Sequence, residues 1–241
     1  MTRREFDAVL FDLDGVLTDT ARLHAEAWRR AFDPVLKRAP RRAREPYRPF
    51  DPDQDYARYV DGRDRMDGAR SFLASRDIRL PEVASPQRDE SLAAVVRAKD
   101  ADYLRLLGER GIVPFPGAVR WLETLARDGL RLAVVSASHH AREVLEAARI
   151  ASRFDVRVDG VVADALGLAG KPEPDLFLEA ARRLGVMPGR AVVVEDAVAG
   201  VAAGRRGGFG FVIGVSRGRD AARLRDAGAD LVVDDLGEML R

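Results

Sequence analysis

Short apolar runs recur along the chain and alternate with stretches in which apolar residues return every three or four positions. Runs of this kind predict buried parallel strands, and the intervening stretches predict amphipathic helices. Strands are expected at Ala8–Phe11, Leu130–Val135, Ala191–Val194, Phe209–Val215 and Leu231–Val233. Helices are expected at Ala118–Arg127, Ala141–Ala148, Asp175–Leu184, Ala197–Arg206 and Ala221–Ala227. The alternation predicts a doubly wound α/β fold with a mainly parallel sheet of five to six strands.

The alternation stops between residues 20 and 110. Helical patterns occur there at Leu23–Asp33, Gly68–Ser75 and Leu92–Leu107, with no convincing strand. We therefore expect an all-helical domain of residues 20–110, inserted after the first strand of a core formed by residues 1–19 and 111–241. The Arg- and Pro-rich stretch Lys37–Pro52 predicts an irregular loop or extended segment, and its part KRAPRRAREPYR predicts a solvated surface.

The composition is that of an ordinary folded protein, because 46% of the 241 residues are apolar and 40 basic side chains balance 39 acidic ones. The chain has no cysteine, which excludes disulfides, thiolate metal sites and a catalytic thiol. Neither a signal peptide nor a membrane-spanning run is recognisable. We expect a cytoplasmic monomer that binds neither nucleic acid nor a membrane.

Two carboxylates, Asp12 and Asp14, follow the first predicted strand and precede Gly15. Ligands of doubly wound sheets bind beyond the carboxyl ends of the strands. Neighbouring carboxylates repel each other unless a cation or a shared proton lies between them, so the pair indicates a Mg²⁺ site. Considered alone, an aspartate-rich turn without chemistry explains the pair equally well.

The other strand ends carry residue types that phosphoryl transfer needs. Ser136 ends the second predicted strand, Lys171 follows a glycine-containing loop, and Glu195 and Asp196 end a later strand. Each has a structural alternative: a helix cap for Ser136, a surface position for Lys171, and helix-start acids for the pair. Their joint occurrence favours a phosphoryl-transfer site.

Four motifs lie at these positions: FDLDG, VVSAS, GKPEPD and VVVEDA. With them the sequence resembles the haloacid dehalogenase superfamily, and most of all its β-phosphoglucomutase branch, which includes sugar-phosphate phosphatases. The segments DLDGVLTDTARLHAEAW and EDAVAGVAAG add to the resemblance. It implies a Rossmann-like core with a helical cap.

The resemblance implies a role for each motif. Asp12 would be the nucleophile, Asp14 the general acid and base, and Ser136 and Lys171 would bind the transferred phosphoryl group. The implied Mg²⁺ ligands are Asp12, the main-chain carbonyl of Asp14, Asp196, and Glu195 in contact with the ion or next to it. Dehalogenation needs neither Mg²⁺ nor a second aspartate, so Asp14 argues against that activity.

Substrate-binding residues are implied in the insert and in the loop after the second strand: Thr20, His24, Gly62, Arg65, Lys99, Ala137, Ser138 and His140. Arg65 would clamp the phosphate that is not transferred, which suits a bidentate guanidinium. Lys99 stands out because the chain has only three lysines. The alternatives are a surface charge for Arg65 and a buried helix position for His24.

Three functions follow from these expectations. The first is a mutase that converts β-D-glucose 1-phosphate into glucose 6-phosphate through an aspartyl-phosphate. The second is a phosphatase of the same family that acts on a sugar phosphate or a disaccharide phosphate. The third is a catalytically silent binding domain, which would turn over no phosphate ester.

Overall fold

The computed structural model describes residues 5–39, 47–85, 90–218 and 221–240. The chain divides into two compact units. The first consists of Met1–Asp19 and Ile112–Arg241, and the second of Thr20–Gly111.

The second unit is built from helices α1 (Ala21–Arg38), α2 (Arg65–Ser75) and α3 (Leu92–Arg110), with a π-helical turn at Tyr56–Val60. Aromatic side chains fill its core. The ring of Phe32 lies 4.8 Å from that of Trp28 and 4.4 Å from that of Phe72, and Phe50 packs against both phenylalanines. The apolar faces of the helices are thereby removed from water.

The first helix is longer than the sequence pattern predicts. It continues through Pro34 to Arg38, although proline removes one helical hydrogen bond. Val35 and Leu36 are buried beyond it, so packing favours continuation of the helix. Lys37 is therefore helical rather than part of the predicted loop. Residues 40–46 of that loop lie outside the described residues, and residues 47–51 are irregular as expected.

The first unit contains a six-stranded sheet in the order β3-β2-β1-β4-β5-β6. The strands are β1 (Ala8–Phe11), β2 (Arg131–Val135), β3 (Val156–Val158), β4 (Ala191–Glu195), β5 (Phe211–Val215) and β6 (Leu231–Val233). Every neighbouring pair is parallel, and Phe11 of β1 lies between Val134 and Val194. The predicted doubly wound α/β fold is confirmed.

Helices surround this sheet: α4 (Pro116–Arg127), α5 (Ala141–Ala147), α6 (Gly160–Leu166), α7 (Asp175–Leu184), α8 (Val198–Arg206) and α9 (Ala221–Asp226). The prediction missed β3 and α6. β3 has only three residues with Arg157 in its centre, so the strand shows no apolar run. The side chain of Asp159 starts α6 by accepting from the Val162 amide at 3.0 Å.

Candidate active site

The site lies at the carboxyl edge of the first unit's sheet. Asp12 continues β1, and its amide donates to the Val194 carbonyl of β4 at 2.9 Å. Ser136 continues β2, and its amide donates to the Val158 carbonyl of β3 at 3.0 Å. Parallel pairing therefore brings residues that are distant in sequence to one edge.

Lys171 is the centre of the site. Its Nζ lies 2.5 Å from Asp12 Oδ1 and 2.5 Å from Glu195 Oε1, and it donates to the Val135 carbonyl at 3.4 Å. The side chains of Lys171 and Glu195 are fully buried. The ammonium also lies 5.0 Å from the ring centre of Phe177. The surface-lysine alternative is therefore wrong, because Lys171 forms a buried ion triad with the two carboxylates.

The pKa values of Asp12 and Lys171 depend on each other and on the charge of Glu195. Burial raises the pKa of Asp12 well above its usual range against the attraction of Lys171, and the charges of Glu195 and Asp14 raise it further. Burial alone would lower the pKa of Lys171, but the carboxylates of Asp12 and Glu195 raise it above that of an ordinary lysine. Lys171 therefore stays cationic and holds the two carboxylates together.

Asp14 is linked to the loop that follows β2. The Ser136 hydroxyl donates to Asp14 Oδ2 at 3.3 Å and accepts from the Ser138 amide at 3.1 Å. Ser138 Oγ in turn accepts from the His140 amide at 3.1 Å. Ala137, Ser138 and His140 are half-buried. This loop therefore places a hydroxyl beside the second aspartate.

Three acidic side chains are close enough to share a metal ion. Asp12, Glu195 and Asp196 each offer a carboxylate oxygen within 4.8 Å of the others. A set made only of oxygen atoms fits a hard divalent cation. The carboxylate of Glu195 already accepts from Lys171 and, at 2.9 Å, from the Ala197 amide. The predicted metal role of Asp14 concerned its main-chain carbonyl and stays a prediction.

At two glycines the backbone lies so close to a carboxylate of the site that no side chain would fit. Gly15 has φ +88°, and a Cβ there would lie 1.9 Å from Asp196 Oδ2. A Cβ on Gly200 would lie 1.7 Å from Glu195 Oε1. Any larger residue at either position would displace a site carboxylate, so both glycines belong to the architecture of the site.

A second cluster of predicted residues lies within the helical unit. Arg65 Nη1 lies 2.6 Å from Asp100 Oδ2, and Lys99 Nζ lies 3.3 Å from Asp100 Oδ1. The Lys99 ammonium is buried 5.0 Å from the ring centre of Tyr103. His24 stacks on the same ring at 3.9 Å. One carboxylate, Asp100, thus contacts both predicted ligand-binding cations.

The remaining predicted residues of this unit lie at helix boundaries. Thr20 is the buried N-cap residue of α1, without a side-chain capping bond. Gly62 adopts φ +70° between the π-helical turn and α2.

Two residues were not among those predicted: Asp100 in the helical unit, and Arg217, whose Nε donates to the carbonyl of Gly15 next to the acidic pair at 3.0 Å. Asp100 stands directly after Lys99 in VRAKDADYL, but nothing in the sequence connects it with Arg65, 35 positions earlier. Arg217 follows the end of β5 by two residues, so the strand-end rule applied to the other strands would have identified it.

Comparisons with known proteins indicate one family. The family described as haloacid dehalogenase-like hydrolase matches residues 6–208. A Mycobacterium bovis protein named beta-phosphoglucomutase is 48% identical over 97% of this chain and 91% of its own. Validoxylamine A 7'-phosphate phosphatase of Streptomyces hygroscopicus subsp. limoneus is 31% identical over 97% and 96%.

A solved structure gives the same result. The β-phosphoglucomutase of Clostridium difficile superposes with a TM-score of 0.76 and 26% identity, over 97% of this chain and 93% of that one. No helix among the described residues is both long and apolar enough to cross a membrane. The similarity thus extends over nearly the whole sequence and both of its units.

Proposed function

Because the chain belongs to the haloacid dehalogenase-like hydrolase family, we propose that it transfers a phosphoryl group of a sugar phosphate through Asp12. The family assignment confirms the resemblance carried by the four motifs. The observation that carries the proposal is the buried triad in which Lys171 contacts Asp12 and Glu195 at 2.5 Å. A buried cation beside a carboxylate suits a reaction in which two anions must meet.

In the first half-reaction a carboxylate oxygen of Asp12 attacks phosphorus, and the bond from phosphorus to the ester oxygen breaks. Asp14 gives its proton to that leaving oxygen. In the second half-reaction Asp14 takes the proton of the acceptor hydroxyl, the oxygen of that hydroxyl bonds to phosphorus, and the bond from phosphorus to Asp12 breaks. Ser136 and Lys171 hold the oxygens of the phosphoryl group during both steps.

The all-oxygen donor set supports Mg²⁺ as the cofactor. Asp12 and Asp196 would hold it, together with the main-chain carbonyl of Asp14, and Glu195 would lie in contact with it or next to it. When bound, Mg²⁺ supplies positive charge that offsets the repulsion between a phosphate ester and an anionic nucleophile.

The acceptor hydroxyl decides between two reactions. Attack by the 6-hydroxyl of a bound β-D-glucose 1-phosphate gives the 1,6-bisphosphate, which then returns its 1-phosphoryl group to Asp12 and leaves as glucose 6-phosphate; this makes the enzyme a β-phosphoglucomutase. Attack by water instead makes it a phosphatase. We propose the mutase, since the 48% identical relative carries that name. Residues 20–110 would act as the cap domain that selects the substrate. Within it Arg65 would bind the phosphate that is not transferred, and Lys99, His24, Thr20 and Gly62 would bind the sugar.

The phosphatase is the second candidate, because a relative of similar length bears that name. For the mutase we propose a cytoplasmic monomer whose partner is a small sugar phosphate, with no nucleic acid bound.

³¹P NMR distinguishes the candidates. The protein is incubated with Mg²⁺, β-D-glucose 1-phosphate and a trace of the 1,6-bisphosphate. Appearance of glucose 6-phosphate is the expected result, and inorganic phosphate alone would identify a phosphatase. If neither product forms with this substrate or with other sugar phosphates, phosphoryl transfer is refuted.

The variant Arg65→Ala tests the proposed clamp. We expect isomerisation to fall about 100-fold or more, since loss of a charge-assisted phosphate contact costs several kcal/mol. Hydrolysis of a small aryl phosphate has no second phosphate to bind and should change little. Arg70→Ala is the matched control, because Arg70 is a half-exposed arginine of the same helix that pairs with Asp67 and Glu82. Equal losses on both substrates would remove the case for the clamp.

A further inference from the structure

Arg217, in the loop after β5, contacts the turn that follows the acidic pair. Its Nε donates to the Gly15 carbonyl at 3.0 Å and its Nη2 to the Val16 carbonyl at 2.8 Å. Its Nη1 pairs with Asp235 at 2.6 Å, and its guanidinium carbon lies 3.5 Å from the ring centre of Phe115. The side chain is 16% exposed, so most of its surface is buried.

Gly15, whose carbonyl Arg217 contacts, lies next to two aspartates of the site. Gly15 follows Asp14 directly, and its Cα approaches Asp196 so closely that a Cβ would lie 1.9 Å from Oδ2. A displacement of the Gly15 carbonyl would therefore move Asp14 on one side or press on Asp196 on the other. Arg217 holds that carbonyl and the next one.

The backbone conformation of Arg217 is also unusual, as it is at Asp77 and Arg149 elsewhere in the described residues. Its φ is +52°, a left-handed conformation that is unfavourable for any residue with a Cβ. Such conformations persist where the surrounding contacts fix them, and they cluster at functional sites. The next residue, Gly218, has φ +74°, so the loop turns sharply where the side chain enters the site.

We propose that Arg217 is a positioning residue that fixes the Gly15–Val16 turn, so that the Asp14 carboxyl meets the oxygen that leaves phosphorus. The inference rests on the proposed function, in which Asp14 is the acid and base. Arginine suits this task because its planar fork donates to two neighbouring carbonyls while its face stacks on Phe115. A lysine would offer one compact ammonium and could not make all of these contacts.

The variants Arg217→Lys and Arg217→Ala test the inference. For both we expect kcat to fall about 100-fold while KM changes less than about threefold, since misplacing a catalytic group by 1 Å has an effect of this size. Millimolar guanidinium should raise the kcat of Arg217→Ala about tenfold, because it can fill the space beside Phe115. Methylammonium at the same concentration should not.

Arg131→Ala is the matched control. Arg131 also donates to two successive carbonyls, those of Leu184 and Gly185, but it starts β2 at the opposite edge of the sheet. It should keep the wild-type kcat.

Several results would overturn the inference. These are an unchanged kcat in both Arg217 variants, an equal loss in Arg131→Ala, or a loss in Arg217→Ala that guanidinium does not restore. Should Arg217→Ala fail to fold, Arg217→Lys decides through kcat and KM measured separately: a loss of kcat at an unchanged KM supports the inference, and an unchanged kcat overturns it. Wild-type protein that turns over no phosphate ester refutes the proposed function itself. An active wild type whose Arg217 variants keep their kcat refutes this inference alone.

Discussion

Replacing Lys171 by methionine should destabilise the first unit strongly. Methionine keeps the apolar length of the side chain against Phe177 but leaves Asp12 and Glu195 as two buried carboxylates without a cation. Removing one partner of a buried ion pair costs about 3–5 kcal/mol. For a protein of this size each kcal/mol lowers the midpoint of thermal unfolding by about 2–4 °C, so a decrease of about 10 °C is expected.

The assay is thermal unfolding followed by circular dichroism, in buffer with EDTA so that no metal ion replaces the lost charge. Added Mg²⁺ should recover part of the loss, because a bound cation also compensates these carboxylates. Lys37→Met is the control, since Lys37 is exposed at the end of α1 and should change stability by less than about 0.5 kcal/mol. Equal midpoints for Lys171→Met and the wild type would refute the buried-triad argument.

Two further predictions concern a turn and an ion pair. Gly15→Ala should lower kcat about 100-fold or more through displacement of Asp196. Gly208→Ala, at φ +68° with nothing within 4 Å of its Cβ, carries similar strain and should keep kcat; equal losses would contradict the crowding argument. Hydrogen bonds from Arg182 and Arg183 lower the pKa of Glu179 to about 2. Their contribution is complete above the ordinary pKa of 4.5 and is lost as the pH falls through about 2, so urea unfolding should show Glu179→Gln destabilising at pH 7 and progressively less below pH 4.5. A difference that stays constant down to pH 2 would contradict this.

Local pattern was sufficient for most of the core. The strands β1, β2 and β4 are nearly continuous runs of apolar residues. Such runs are typical of parallel strands, because both faces of a parallel sheet are covered by helices. Where the local signal was short or mixed, the prediction failed. β3 is held by pairing with β2, and α1 is prolonged past Pro34 by the burial of Val35 and Leu36.

The sequence by itself determined which residue types stand at the strand ends, since the strand period and the motif order are local properties of the chain. Only the tertiary structure decided their partners. It sets the ammonium of Lys171 between two carboxylates that are 159 and 24 positions away, and the guanidinium of Arg217 on a turn about 200 positions earlier. Such contacts depend on the order of strands in the sheet and on loop conformation, which no local pattern encodes.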